Sequence, residues 1–100
     1  MEKRVAHYDL TAIIALVRRR RASAFTKTAL DGGRRMGLTL SDMVDVVCAL
    51  TPKLLYKSMT TYADGQVWQD VYHAPTPAGK AYIKVTLRED GALVIQFKEL

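Results

Sequence analysis

The spacing of apolar residues changes near residue 50, from a helical repeat to the alternation typical of β-strands. Before this point apolar residues recur every three to four positions, as Ile13, Ile14 and Val17 do. Beyond it, β-branched and aromatic residues alternate with polar ones in several short runs. No repeat or linker-like stretch separates the two halves. The pattern therefore predicts an α+β fold in a single domain over residues 1–100, with helices packed on a mainly antiparallel sheet.

The first predicted helix begins after Asp9, whose side chain is a favourable N-cap. It ends in the basic run Arg18–Arg21, where positive charge stabilises a helix C-terminus. We expect the stretch that follows, Ala22–Phe25, to be a short extended link or a strand.

Two further helices are expected before the change of pattern. One begins at Thr26, and its Gly32-Gly33 pair predicts a short or irregular helix that ends near Gly37, because glycine weakens helices. The other is expected to be capped by Ser41 and to end before Pro52, which cannot continue a helix.

The second half is expected to form two hairpins. Each hairpin has a similar tripeptide at its turn, Ala63-Asp64-Gly65 or Glu89-Asp90-Gly91. Either tripeptide is compatible with a two-residue turn on Asp-Gly or with a three-residue loop that ends in a left-handed glycine. The four predicted strands are Tyr56–Tyr62, Val67–His73, Lys80–Arg88 and Ala92–Lys98.

Apolar matching favours the three-residue loop in the last hairpin. A two-residue turn would set Val85 opposite Gln96, which is a poor match. The three-residue loop brings Tyr82 opposite Lys98, and Lys84 opposite Gln96, on the face away from the core. On the other face it aligns three apolar pairs: Leu87 with Leu93, Val85 with Ile95, and Ile83 with Phe97.

The same loop in the first hairpin would place Lys57 opposite Val71 and Met59 opposite Gln69. His73 then shares a face with Gln69, because it lies four residues further along a strand of period two. Together the two hairpins predict one polar face, which carries Lys57, Gln69, His73, Tyr82, Lys84, Gln96 and Lys98.

This polar face has two interpretations. An antiparallel sheet often leaves one face in water, and the residues are then an ordinary solvated surface. Alternatively, the lysines bind a phosphodiester and stabilise the negative charge that develops on it, while the tyrosine donates or accepts a proton.

The net charge of +5 favours an anionic partner, which is nucleic acid, a membrane surface or an acidic protein. Residues 1–50 contain nine basic and five acidic residues, so the helical half carries +4 of this excess. Its most basic segment is either a solvated helix end or a patch that contacts an RNA backbone or an acidic partner. That segment consists of Arg18, Arg19, Arg20 and Arg21.

Several other classes of protein are not supported. The sequence has no glycine-rich phosphate loop and no CxxC or HExxH motif, and two histidines and one cysteine do not predict a metal site. No apolar run is long enough to span a bilayer, and the polar start lacks the apolar region of a signal peptide. The single cysteine, Cys48, favours a reducing compartment, so we expect a cytoplasmic location.

A specific resemblance is carried by the blocks Tyr56-Lys57-Ser58-Met59-Thr60-Thr61-Tyr62 and Trp68-Gln69-Asp70-Val71-Tyr72. Together with the opening Met1-Glu2-Lys3-Arg4 and the close Phe97-Lys98-Glu99, they resemble the MqsR family over almost the whole chain. Proteins of this family are toxins of type II toxin–antitoxin systems, and they are similar to RelE-type mRNA interferases. The resemblance therefore implies a compact RelE-like α+β fold.

The resemblance also implies a metal-independent endoribonuclease that needs no cofactor. Such an enzyme would cleave mRNA, prefer sites that contain guanine followed by cytosine, and so inhibit translation. The implied partner is an MqsA-type antitoxin with a zinc-binding N-terminal domain and a helix-turn-helix domain. The toxin would then meet operator DNA only indirectly, through this antitoxin.

The resemblance assigns catalytic roles to four residues of the polar face: Lys57, Gln69, Tyr82 and Lys98. The RNA 2′-hydroxyl would attack the adjacent phosphorus while the two lysines stabilise negative charge. Tyr82 would transfer a proton or position the phosphate, and Gln69 would orient the nucleotide. His73 stands where a close relative would have arginine, and it is a candidate for RNA binding together with Lys84 and the arginine run.

Two alternatives stay open at this point. One is a non-catalytic module that binds RNA or protein through its basic helical half. The other is a degenerate toxin that keeps the fold and antitoxin binding but has lost its activity.

Overall fold

The structure of the protein is a computed structural model that describes residues 1–61, 63 and 65–100. Within these ranges, helices occupy the first half and most of the sheet occupies the second half, as the sequence predicts. None of the described helices is long and apolar enough to cross a membrane. The elements are β1 (Glu2–Lys3), α1 (Leu10–Arg20), α2 (Lys27–Arg35), α3 (Leu40–Cys48), β2 (Leu55–Thr60), β3 (Trp68–Thr76), β4 (Gly79–Leu87) and β5 (Leu93–Glu99).

The strands form one antiparallel sheet in the order β1-β2-β3-β4-β5. The register of β4 and β5 is the predicted one, with Tyr82 opposite Lys98 and Val85 opposite Ile95. In the loop between these strands, Gly91 has a φ of 88°, which is left-handed. The predicted three-residue loop is therefore confirmed.

The register of β2 and β3 is also the predicted one, with Lys57 opposite Val71 and Met59 opposite Gln69. The turn type predicted for Ala63-Asp64-Gly65 lies outside the described residues, because residue 64 is not among them. The predicted strand end at residue 62 lies outside them as well, and the strand described by the structure ends at residue 60.

One face of the sheet forms the core with the helices. Val17 of α1 and Val47 of α3 are fully buried, and both belong to the same apolar cluster as the sheet. Since apolar pairing sets the register, it also determines which side chains remain on the opposite, polar face. The buried members from β4 and β5 are Ala81, Ile83, Val85, Leu93, Ile95 and Phe97.

Two predictions about the helical half need correction. Residues 21–24 form a 3₁₀ turn, whereas Phe25 is extended and forms an isolated parallel bridge with Ile95, so the extended link predicted over Ala22–Phe25 is confirmed only at its last residue. At the start of the turn, Arg21 takes a left-handed φ of 48° and its amide donates back to the Val17 carbonyl. The N-cap of α3 is Thr39, not Ser41. The Thr39 hydroxyl accepts from the Asp42 amide, and the Asp42 carboxylate accepts from the Thr39 amide. This capping box satisfies two amides at once, which explains the earlier helix start.

Helix α2 lies along β5 and continues through its two glycines. A Cβ at Gly32 would overlap the carbonyl oxygen of Phe97, and a Cβ at Gly33 would overlap the sulfur of Met43. Glycine therefore allows close packing that outweighs its low helix propensity, and the predicted irregularity is absent from α2. The helix ends two residues before Gly37, close to the predicted end.

The segment before α1 is anchored to the sheet by a buried carboxylate. Asp70 on β3 is 1% exposed, and its oxygens accept hydrogen bonds from the amides of His7 at 3.0 Å and Tyr8 at 2.9 Å. The Tyr8 hydroxyl donates to the Trp68 carbonyl at 2.7 Å. The same segment contains β1, which pairs with β2. This strand is not predicted from the sequence, because two residues carry no recognisable alternation.

Candidate active site

The polar face predicted from the two registers is present, and cross-strand pairing arranges its residues in rows. Rows form because directly opposed residues of neighbouring strands point to the same side of a sheet. The first row contains His73, Tyr82 and Lys98, the second contains Lys57, Val71, Lys84 and Gln96, and the third contains Met59 and Gln69.

Aromatic rings extend the first row as far as β2. The Tyr56 ring stacks on His73, with 4.3 Å between the ring centroids and 14° between the planes. The centroid of His73 lies 6.0 Å from that of Tyr82, and the Lys98 ammonium lies 5.1 Å from the Tyr82 centroid. The row thus offers aromatic surface for nucleotide bases beside a cation for phosphate.

A pocket of about 370 Å³ lies between the first turn of α2 and the β4–β5 side of the polar face. Burial, and secondarily the charge of Lys98, lower the pKa of Lys84 below its ordinary value. Lys84 and Lys98 are diagonal neighbours on adjacent strands, which places their Cα atoms about 7–8 Å apart. The pocket is lined by Thr26, Thr28, Ala29, Tyr82, Lys84, Gln96, Phe97 and Lys98.

Lys57 is paired at the opposite side of the face. Its ammonium donates a hydrogen bond to the Glu2 carboxylate at 2.7 Å. This bond raises the pKa of Lys57 and lowers the pKa of Glu2. Lys57 and Lys98 are separated by three strand spacings, which places their Cα atoms roughly 14 Å apart.

Gln69 shares the polar face but lies at the other end of β3. It precedes His73 by four residues on the same strand, which corresponds to roughly 13 Å. The structure therefore brings Tyr82, Lys98, Lys84 and His73 together, and it places Lys57 and Gln69 further along the same face.

The arginine run lies apart from the polar face. It occupies the end of α1, which packs on the core face of the sheet. The Arg20 guanidinium donates to the Gly91 carbonyl at 2.6 Å and so ties the helix to the β4–β5 loop. Arg18, Arg19 and Arg21 are exposed there.

Two residues that the sequence does not single out border the first row. Tyr56 would point to the core face in a regular strand, but the register shifts between Leu55 and Lys57 and brings its ring onto His73. The Arg4 guanidinium donates to the Tyr56 carbonyl at 3.1 Å and lies 5.9 Å from the Tyr56 ring centroid. Neither a bulge nor a neighbouring two-residue strand leaves a signal in a single sequence.

No group of three or more His, Cys, Asp or Glu side chains in the described ranges is placed to hold a metal ion.

The comparisons with known proteins cover the chain almost from end to end. A family model described as "Motility quorum-sensing regulator, toxin of MqsA" matches residues 5–99. A curated relative named "mRNA interferase toxin MqsR", from Escherichia coli (strain K12), is 38% identical over 99 residues. The aligned residues make up 99% of this chain and 99% of the relative, so the helices, the sheet and the whole polar face fall within the match.

Proposed function

This chain belongs to the MqsR toxin family, and on that basis we propose that it is an endoribonuclease that cleaves messenger RNA. The observation that carries the proposal is the grouping of Tyr82, Lys84 and Lys98 on an accessible sheet face, beside stacked aromatic rings. This grouping offers cations to a phosphate and flat surfaces to bases, which are the two needs of single-stranded RNA recognition.

In the proposed reaction the RNA 2′-oxygen attacks the adjacent phosphorus. The 2′-hydroxyl gives up its proton, the bond from phosphorus to the 5′-oxygen breaks, and the leaving oxygen takes up a proton. The products are a 2′,3′-cyclic phosphate, which water can hydrolyse to a 3′-phosphate and a 2′-hydroxyl, and a free 5′-hydroxyl. No metal or cofactor is required, so cleavage should survive a chelator.

We assign roles in the reaction and in RNA binding to four residues of the polar face. Lys98 stabilises the negative charge of the transition state, and Tyr82 positions the phosphate or transfers a proton. Lys57 supplies a second positive charge, and Gln69 hydrogen-bonds a nucleotide. Because Lys57 and Gln69 lie more than one strand spacing from Lys98, we assign their contacts to parts of the RNA that extend along the face.

The proposed substrate is mRNA cut preferentially at guanine–cytosine sites, with inhibition of translation as the result. The proposed partner is an MqsA-type antitoxin with a zinc-binding N-terminal domain and a helix-turn-helix C-terminal domain. Support for a partner of this kind is the family description, which names the family as the toxin of MqsA. Contact with operator DNA would be indirect, through this antitoxin, and the shared compartment would be the cytoplasm.

Mapping of cleavage sites on purified mRNA by primer extension, without ribosomes and with a chelator present, tests the activity. Wild-type protein should produce discrete stops, and Tyr82→Phe and Lys98→Ala should lose them while keeping the native circular dichroism spectrum. Replacing the 2′-hydroxyl at a mapped site by hydrogen should abolish cleavage there. Binding of mRNA without any cleavage would instead support the non-catalytic module.

A further inference from the structure

The pocket between α2 and β5 contains two lysines, Lys84 and Lys98, that form no ion pair with any described carboxylate. Within the described part of the chain the ion pairs are Arg34 with Asp31 and Lys57 with Glu2, so neither Lys84 nor Lys98 has a carboxylate partner there. Lys84 is half-buried and Lys98 is exposed.

Placing two ammonium groups next to each other in a partly buried pocket is unfavourable. Burial removes water from the charged form of Lys84, and the charge of Lys98 repels it, so both effects lower the pKa of Lys84. An oxyanion bound between the two ammonium groups would attract both of them and accept the hydrogen bonds that Lys84 loses when it leaves water. The arrangement is therefore that of a receptor for an anion.

The first turn of α2 adds a second source of positive potential at the same place. Thr26 caps the helix by accepting a hydrogen bond from the Ala29 amide at 3.0 Å, and both residues line the pocket. This turn has no acidic residue and begins with Lys27, although helix N-termini favour negative charge. The chain thus places the positive end of α2 beside the two lysines with a neutral cap and no acidic residue in its first turn.

We propose that Lys84 is a catalytic residue that binds, together with Lys98, the RNA phosphate undergoing cleavage. This inference rests on the proposed function and deepens it, because family resemblance assigns Lys84 no catalytic role. Lys98 reaches the phosphate from the edge of the sheet, and Lys84 reaches it from the neighbouring strand. Tyr82, directly opposite Lys98, faces the same phosphate.

The lysines of the polar face therefore have two different roles. The pair of Lys84 and Lys98 acts on the reacting phosphate and should affect the rate of cleavage. Lys57 is bonded to Glu2, and its Cα lies two strand spacings from that of Lys84 and three from that of Lys98, roughly 10 and 14 Å; it binds another part of the RNA and should affect mainly affinity.

Steady-state cleavage of a short RNA with one site tests this assignment. Lys84→Met should lower kcat roughly 10²-fold, the usual effect of removing one group that stabilises a developing oxyanion. Lys84→Arg retains the charge and should keep most of the activity, and Lys53→Met, which removes an exposed lysine from the turn before β2, should match wild type. A wild-type kcat in Lys84→Met would overturn the proposal.

A binding measurement separates failure of this inference from failure of the proposed function. Inorganic phosphate is added to protein with ¹³C-labelled lysine side chains, and the Cε resonances of Lys84 and Lys98 are followed. Both should shift together with one dissociation constant, and Lys84→Met should weaken binding at least tenfold while Lys84→Arg does so far less. If phosphate shifts other lysines only, the pocket is not a phosphate site.

The same data remain informative if the wild-type protein cleaves no RNA. Joint phosphate shifts of Lys84 and Lys98 would then support the anion subsite while the endoribonuclease assignment fails. Lys84→Met should melt at the wild-type temperature or above it without phosphate, because the variant removes a repulsive charge. A large loss of stability would show that Lys84 supports the fold and would contradict the repulsion on which the inference depends.

Discussion

The Glu2 carboxylate accepts a hydrogen bond from the Lys57 ammonium across 2.7 Å, and so connects the N-terminal strand to the polar face. Glu2 is 53% exposed and Lys57 is 23% exposed. A phosphate that approaches Lys57 therefore meets a carboxylate that already accepts one of the three ammonium N–H groups and repels a second anion. The pair makes the chain's own N-terminus a competitor of its proposed substrate.

Glu2→Gln should therefore strengthen RNA binding. We expect the KM for a short RNA substrate to fall roughly two- to fivefold, the range of an exposed ion pair, with little change in kcat. Glu89→Gln is the matched control, because it removes an equal charge from the exposed β4–β5 loop. An unchanged or higher KM in Glu2→Gln, relative to this control, would mean that Glu2 positions Lys57 for RNA.

The same pair predicts a pH window in stability. The lowered pKa of Glu2 stabilises the fold above the carboxyl's unfolded value of about 4.3, and this contribution is lost as the pH falls through the folded pKa. The raised pKa of Lys57 stabilises the fold below its unfolded value of about 10.4, and that contribution is lost as the pH rises through the folded pKa.

Chemical denaturation of wild type and Glu2→Gln across this range provides the test. Between the pKa of Glu2 and the pKa of Lys57, wild type should have a higher free energy of unfolding than Glu2→Gln. The difference between the two proteins should disappear at acid and at strongly alkaline pH. If the difference in stability persists unchanged below the folded pKa of Glu2, its cause is an interaction other than the ion pair.

Gly32→Ala should destabilise the protein although alanine favours helices. The new Cβ meets the Phe97 carbonyl oxygen, which is backbone in β5 and cannot rotate away. We expect urea denaturation to show a free energy of unfolding that is about 1–3 kcal/mol lower than in wild type. This is a net value, because the higher helix propensity of alanine contributes about 1 kcal/mol in the opposite direction. Gly65→Ala is the control, because a Cβ there meets no atom within 4 Å among the described residues that are not its chain neighbours. Equal stability of the two variants would contradict the close packing.

Asp70→Ala should release the segment before α1. The substitution leaves the amides of His7 and Tyr8 without their acceptor. We therefore expect the free energy of unfolding to fall by about 2–5 kcal/mol. Asp90→Ala removes an exposed carboxylate that accepts from the Ala92 amide, and it should lose less than about 1 kcal/mol. Native-state hydrogen exchange should show faster exchange at residues 2–8 in the Asp70 variant, and protection equal to wild type would contradict the anchoring role.

The parts of the fold that can be predicted from the sequence are those with a strong local signal. The register of β4 and β5 follows from apolar pairs such as Val85 with Ile95, and these pairs alone suffice to place Tyr82 opposite Lys98. Asp9 at the start of α1 is predictable for a similar reason, because an N-cap acts within three residues of itself.

The remaining features depend on contacts between distant residues. Tyr56 reaches His73 only because β2 carries a bulge, and Lys84 meets α2 only after α2 has packed against β5. The sequence presents Gly32 as a helix-weakening residue because its neighbour in space, Phe97, lies far away in the chain. Family resemblance identifies individual residues of the face, but it does not reveal how far apart Lys57 and Lys98 lie.

The close approach of α2 to β5 and α3 has a consequence for how the site can change over time. The approach of α2 to β5 beside Lys84 and Lys98 depends on the hydrogen atom at position 32, because a Cβ there would overlap the backbone of Phe97. A methyl group at this position would push the helix away from β5 and widen the pocket without altering any lysine or tyrosine in it. Natural selection for RNA cleavage would therefore act on a residue outside the proposed catalytic set, and drift there would disable the toxin while its recognisable motifs stay intact.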